Sequence, residues 1–164
     1  MGSNKALMNI HGIPQVGWAK NLLSNCCDKV FVSVADRELP GNFEFIHDQY
    51  TTGGPLNGIL SAFKSYPQAT WLVLPVDMPN LSADALSYLI KKRNEGSVAI
   101  CFGADGKIET LPIIVESSGY QDLLKHFNNG EHSLNKILRS INCEVVRCPD
   151  KNWLLNVNEP NQLG

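Results

Sequence analysis

The chain has 164 residues, 43% of them hydrophobic and 18% charged, with a formal net charge of -2. A single domain of that size buries a real core, and its scattered charges include no basic tract or aromatic-basic patch that would recognise nucleic acid. No apolar run reaches the length of a membrane span and the N-terminus lacks a signal-peptide profile, so neither a membrane nor export is expected. The five cysteines (Cys26, Cys27, Cys101, Cys143 and Cys148) are odd in number and form no CxxC pair. They read as small core residues of a reducing compartment rather than zinc ligands or a disulfide framework, which places the protein in the cytoplasm.

In chain order, Met1 to Gly12 is polar and glycine-bearing and contains Lys5. Ile13 to Cys26 carries Val16, Ala19, Leu22 and Leu23 at helical spacing, with Pro14 suited to a first turn. Lys29 to Ala35 reads as a strand followed by Asp36, and Phe43 to Asp48 as a second strand ending in a carboxylate. Thr51 to Gly58 is a glycine-rich loop running into a helix over Pro55 to Tyr66. Trp71 to Asp77 is an apolar run bracketed by Pro75 and Pro79, the pattern of a strand covered by helices on both faces. A helix over Ser82 to Arg93 follows, with Leu86, Leu89 and Ile90 inward. Ser97 to Phe102, Leu111 to Val115 and Glu144 to Cys148 read as strands; Tyr120 to Phe127 and Ser133 to Ile141 read as helices. A short strand is expected over Trp153 to Val157, leading to Asn156, Asn158 and Pro160. Gly103 to Thr110 suits either a loop or an antiparallel excursion. The alternation argues for a layered α/β fold with a mainly parallel sheet, as one domain over residues 1–164.

Three strands thus end in Asp36, Asp48 and Asp77. In open α/β sheets ligands bind beyond the carboxyl ends of the strands, so three carboxylates at one edge beside glycine-rich loops point to a nucleotide site. Asp77 is a hard oxygen donor of the kind that holds Mg²⁺ together with substrate phosphates; its other reading is a cap for the helix beginning near Ser82. Gly53 and Gly54 either let a backbone approach an anion at the N-terminus of the Pro55 helix or simply form a tight turn. Asp36 and Asp48 each have a plainer reading as a turn former or loop cap. The four histidines have no ligand spacing and read as surface residues. The three tryptophans read as packing, with Trp153 close enough to Asn156 to leave a stacking role open.

Taken together these motifs resemble the molybdenum cofactor guanylyltransferase family, whose fold is the Rossmann-like, three-layer nucleotide-diphospho-sugar-transferase type. Met1-Gly-Ser-Asn-Lys-Ala-Leu7 matches the tail of the family's Arg-Met-Gly-x-Asp-Lys-Ala-Leu signature, with Asn4 in place of the aspartate. Gly54-Pro-Leu-Asn-Gly58, Leu74-Pro-Val-Asp-Met-Pro79 and Leu155-Asn-Val-Asn-Glu-Pro160 match three further motifs in family order. Asp36 stands where the family tends to carry asparagine. The family begins with a buried strand and a glycine-rich loop that precede the first of these motifs. A doubly wound sheet puts its first strand in the centre, so a strand upstream of Met1 is expected.

The resemblance implies transfer of GMP from GTP to molybdopterin or its molybdenum form, with release of pyrophosphate. It implies Mg²⁺ on Asp77, Lys5 neutralising the β- and γ-phosphates, and a nucleotide pocket of Asp36, Asp48, Gly53, Gly54 and Pro55, in which Asp48 first and Asp36 second would accept the two adjacent donors of guanine. Lys5 and Asp77 are the implied catalytic pair. Asn156 and Asn158 would face the pterin or help hold the metal, a structural turn being the alternative. Proteins that hand over the cofactor are further expected partners. The nearest rival is a sister nucleotidyltransferase using CTP or another phosphorylated acceptor; a rival of another class is a non-catalytic relative that binds nucleotide or a partner.

Overall fold

The computed structural model describes residues 5–51 and 53–156. Among these residues, six strands and five α-helices follow one another as β1 (Phe31–Val34), β2 (Glu44–His47), β3 (Trp71–Val73), β4 (Ala99–Ala104), β5 (Lys107–Val115) and β6 (Cys143–Arg147), with α1 (Gln15–Ser24) before β1. Helix α2 (Pro55–Ser65) precedes β3, α3 (Ala83–Lys91) follows it, and α4 (Tyr120–Asn128) and α5 (Leu134–Leu138) separate β5 from β6. The strands form two sheets, a parallel β1–β2 pair and a four-stranded sheet ordered β3-β5-β4-β6. In the larger sheet β3, β4 and β6 run one way and β5 runs against both of its neighbours.

Strand alternation sorts the core into three layers. Ala99, Cys101, Ile113 and Val115 pack against α2, α4 and α5, while the intervening Ile100, Phe102 and Ile114 face α3. Leu72 and Leu74 lie with Met78, Leu81 and Leu86 in a third cluster that reaches α1 through Trp18, Leu22 and Leu23. No described helix is long and apolar enough to cross a membrane. All five cysteines are free.

The expected elements appear with shifted bounds, the Leu111 strand beginning earlier at Lys107, and one differs in kind. The focal run forms a strand only over Trp71–Val73, because Pro75 has no amide to give a ladder and Asp77 lies in a turn. Residues expected as a strand from Trp153 instead begin in a 3₁₀ turn, Lys151–Leu154. The Asp150 carboxylate accepts from the Asn152 amide at 3.0 Å and sets that turn. Gly103 to Thr110 is the antiparallel excursion: Asp105 (φ 52°) and Gly106 (φ 75°) are both left-handed, the conformation of a type I′ hairpin between β4 and β5. Among the described residues no strand pairing joins the two sheets, and a cleft of about 650 Å³ lies between β1 and β3.

Candidate active site

The Lys5 ammonium stands 3.1 Å from Asp77 Oδ2, a contact between residues 72 apart in sequence. Lys5 opens a 3₁₀ turn, Lys5–Leu7, held against α1 by the Gln15 amide donating to the Met8 carbonyl at 2.8 Å. His11 then donates through Nε2 to the Pro79 carbonyl at 2.9 Å and stacks on Trp18 with centroids 4.6 Å apart. The N-terminal loop is thus pinned at two points to the turn that carries Asp77. The two side chains of the ion pair remain 40% and 25% exposed, accessible to an incoming anion and its counterion. Asp77 does not cap α3: Ser82 does, its own hydroxyl accepting from the Ala85 amide at 3.2 Å.

Asp48 sits in a different environment. It follows β2, and its Oδ1 accepts from the Ser33 hydroxyl on β1 at 3.0 Å while its Oδ2 accepts from the Asn57 amide of α2 at 3.1 Å. Asn57 is buried and also exchanges bonds with the backbone of Tyr50, donating to its carbonyl at 2.7 Å and accepting from its amide at 3.1 Å. Ser61, one turn along, accepts from the Gln49 amide at 2.8 Å. Helix α2 therefore holds residues 48–50 through polar side chains on its inner face. Ser33 reaches Asp48 because β1 and α2 approach closely at Gly58, where an added Cβ would meet the Ser33 hydroxyl at 2.6 Å. Burial first, then a hydrogen bond with Tyr120, pushes the Tyr50 phenol up, so it stays neutral beside this network.

Gly54 caps the front of α2 at φ 88° and ψ -179°, a conformation open to glycine, and Pro55 occupies the first turn. Gly54, Pro55 and Asp48 line one end of the cleft between the sheets. Asp36 lies in an exposed bend after β1, at the same end of the adjoining parallel strand as Asp48. Gly53 is exposed before Gly54.

The structure therefore brings Lys5 to Asp77, and Ser33 and Asn57 to Asp48; among the described residues no hydrogen bond joins the two groups. Asn156 is exposed and off any strand, and Asn158 lies outside the described residues. Trp153 packs on Phe102, with centroids 6.3 Å apart, rather than standing as a stacking platform. Ser33, Asn57 and His11 were not legible as site residues: each acts through a partner that only the fold brings near. Gly58 had a signal, the close spacing of its glycine motif, though not its reason.

No described cluster of three or more His, Cys, Asp or Glu could cage a metal. A lone, accessible carboxylate paired with a cation fits an ion that takes its remaining ligands from substrate phosphates and water.

Comparisons with known proteins identify the family. The MobA-like NTP transferase domain family matches residues 1–146, so the chain belongs to that family of nucleotidyltransferases. It is 31% identical to the molybdenum cofactor biosynthesis bifunctional protein of Synechocystis across its whole length, and spans 49% of that relative. It is 24% identical to the molybdenum cofactor guanylyltransferase of Shewanella sediminis, covering 98% of this chain and 85% of the relative. Among solved structures, molybdopterin-guanine dinucleotide biosynthesis protein A from Archaeoglobus fulgidus superposes with a TM-score of 0.75 at 19% identity, over 97% of this chain and 86% of that one. The 2-C-methyl-D-erythritol 4-phosphate cytidylyltransferase of Thermus thermophilus superposes with a TM-score of 0.73 at 13% identity, over 97% and 90%. These two likenesses establish the fold, the Rossmann-like α/β class expected from the sequence.

Proposed function

We propose that this member of the MobA-like NTP transferase domain family transfers GMP from GTP to molybdopterin or its molybdenum form and releases pyrophosphate. Residues 1–164 would act as one transferase unit, in the reducing cytoplasm that five free thiols suit. The observation that carries the reading is the meeting of Lys5 and Asp77 from 72 residues apart. Cation and carboxylate at one point are what a triphosphate and its counterion would separate. Lys5, a compact charge on a long stem, turns to the β- and γ-phosphates and stabilises charge on the leaving pyrophosphate. Asp77 is then free to hold Mg²⁺, which supplies charge neutralisation on the triphosphate when bound.

The acceptor's phosphate oxygen attacks the α-phosphorus, and positioning rather than covalent participation by the protein lowers the barrier. Asp48 serves as the guanine reader: Ser33 and Asn57 use one donor each, which leaves lone pairs on both oxygens for the base's N1–H and N2–H₂. Asp36 is the second candidate for that contact. Gly53, Gly54 and Pro55 let the front of α2 approach an anion. Asn156 and Asn158 are proposed to face the pterin.

The test is pyrophosphate release from the purified chain given molybdopterin and Mg²⁺ with either GTP or CTP. Release with GTP alone is expected. Release with CTP alone would make it a sister transferase, and nucleotide binding without release would make it a non-catalytic relative.

A further inference from the structure

Positive charge gathers at the edge of the larger sheet that carries Asp77. Strands β3, β4 and β6 run the same way, so their carboxyl ends share that edge. The turn with Asp77 follows β3 there, the Asp105-Gly106 hairpin joins β4 to β5, and Arg147 ends β6. Neighbouring strands lie about 4.8 Å apart, so the hairpin starts one strand from β3, and β6 lies about 14 Å away. Between the hairpin and β6 opens a notch of about 500 Å³.

Lys107, Arg147 and Lys151 line the notch and are exposed, and Asp105 is the single carboxylate among its lining residues. Ile108 and Val145 make much of the remaining wall apolar, with Val145 41% exposed. Gly103 keeps that wall open, because a Cβ there would stand 2.7 Å from Val145 Cγ1. Lys151 donates to Asp105 Oδ1 across 46 residues of sequence. That hydrogen bond and the Lys151 charge, joined by the Lys107 charge, hold the Asp105 carboxyl below its usual range and keep it ionised. Among the described residues, Lys107 and Arg147 have no ion-pair partner. Two unpaired cations and a third on an exchangeable carboxylate thus converge in a chain whose net charge is -2. One sign of charge focused at a partly apolar notch concentrates an anion from solution.

We propose that Lys107, Arg147 and Lys151 form a subsite for the second anionic group of the acceptor, the dithiolate of molybdopterin or the oxo-metal anion it holds. This rests on the transferase reading above and assigns that reaction a specificity site. The acceptor carries two anionic groups, the phosphate that attacks and the pair of sulfurs. The phosphate has to reach the α-phosphorus beside Asp77, which leaves the sulfurs to lie farther along the same edge. Arg147 offers a planar fork of donors there, and the two lysines offer compact charges on long stems. The apolar wall suits the ring that carries the sulfurs. As the dithiolate enters, Lys151 exchanges Asp105 for it, as Lys5 exchanges Asp77 for the triphosphate.

The test is anaerobic equilibrium dialysis of molybdopterin against the full chain, without nucleotide. The K107Q/R147Q double variant changes two exposed side chains and should keep its far-UV circular dichroism. Its affinity for molybdopterin is expected to fall about tenfold or more, the scale for losing hydrogen bonds between charged groups. A pterin phosphate without sulfur should bind wild type and double variant alike. Asp105→Asn keeps a residue suited to the left-handed turn and frees Lys151, so it should bind molybdopterin about threefold more tightly. A purely structural role for the hairpin would give no such gain. The thermal shift with GTP and Mg²⁺ should match wild type in both variants. Unchanged affinity in the double variant, an equal loss for the sulfur-free pterin, or weaker binding in D105N would each overturn the subsite. If wild type also releases pyrophosphate with GTP and molybdopterin, the transferase reading survives that failure. No binding of molybdopterin by wild type would overturn both.

Discussion

The two sheets hold their carboxylates in different ways. The β1–β2 pair is small and only partly buried, and a two-stranded ribbon of this kind has little stability of its own. What anchors it is α2, which packs on β1, β2 and β3 alike. Asp48 inherits that dependence: its orientation comes from Ser33 on the ribbon and Asn57 on the helix, two short neutral side chains. Asp77, by contrast, follows the edge strand of the larger sheet and meets the long, rotatable Lys5. One carboxylate is clamped and the other is paired with a partner able to move. Clamping suits recognition of a rigid base, and an exchangeable ion pair suits the handling of phosphate charge.

Altering the exchangeable pair should have the largest effect on turnover. Asp77→Ala is expected to lower kcat by about 10²–10³-fold, the scale for removing one preorganised electrostatic group, with the fold intact by circular dichroism. The K5A/D77A double variant should lose much less than the product of the two single losses, because the residues act on one triphosphate. Full additivity would separate their roles.

Stability tests the other side of the comparison. Phe63 of α2 is wholly buried, stacks on Tyr120 at 5.0 Å and meets Trp71 edge-on. Phe63→Ala should cost about 3–5 kcal/mol by chemical denaturation. Hydrogen exchange in that variant should rise most in β1 and β2; a uniform rise would show that α2 is not their particular anchor.

Asn57→Ala removes the clamp without touching the chemistry. The expected result is a rise in KM for GTP of about tenfold with kcat little changed, since a misplaced reader loses affinity before it loses turnover. A fall in kcat alone would give Asn57 another role.

The smallest effect is acid lability in the larger sheet. Arg93 donates to both Glu116 oxygens at 2.8 and 2.9 Å, and Thr70 donates to one of them at 2.7 Å. Burial pushes the Glu116 carboxyl up, but these donors outweigh it and hold it below the ordinary range. A depressed folded value means stability present above the unfolded glutamate value of about 4.3 and lost as pH falls through the folded one. Wild type should therefore lose more stability than Glu116→Gln between pH 5 and 3; parallel curves would dismiss the network.

Element type was legible wherever local chemistry decided it. Pro55 at the first turn and the periodicity of Leu86 and Leu89 led to the helices observed. Asp105-Gly106 is the hairpin signal within Gly103 to Thr110, a segment that suits either a loop or an antiparallel excursion when read without it. Trp153 misled because an apolar run favours a strand while Asp150 caps a turn two residues earlier. In the site, Lys5 and Asp77 were legible as types of group and through motif resemblance, but their contact was not. Asn57 was invisible for a physical reason: a buried amide nine residues from its carboxylate has a function only once α2 lies beside β2.

The most direct test of the account is a thermal-shift measurement with Mg²⁺ and either GTP or CTP, on wild type and on Asp77→Asn. A larger rise in Tm with GTP than with CTP, whose Mg²⁺-dependent part disappears in D77N, is the predicted result. Equal shifts with both nucleotides, or a Mg²⁺ effect that survives in D77N, would contradict it.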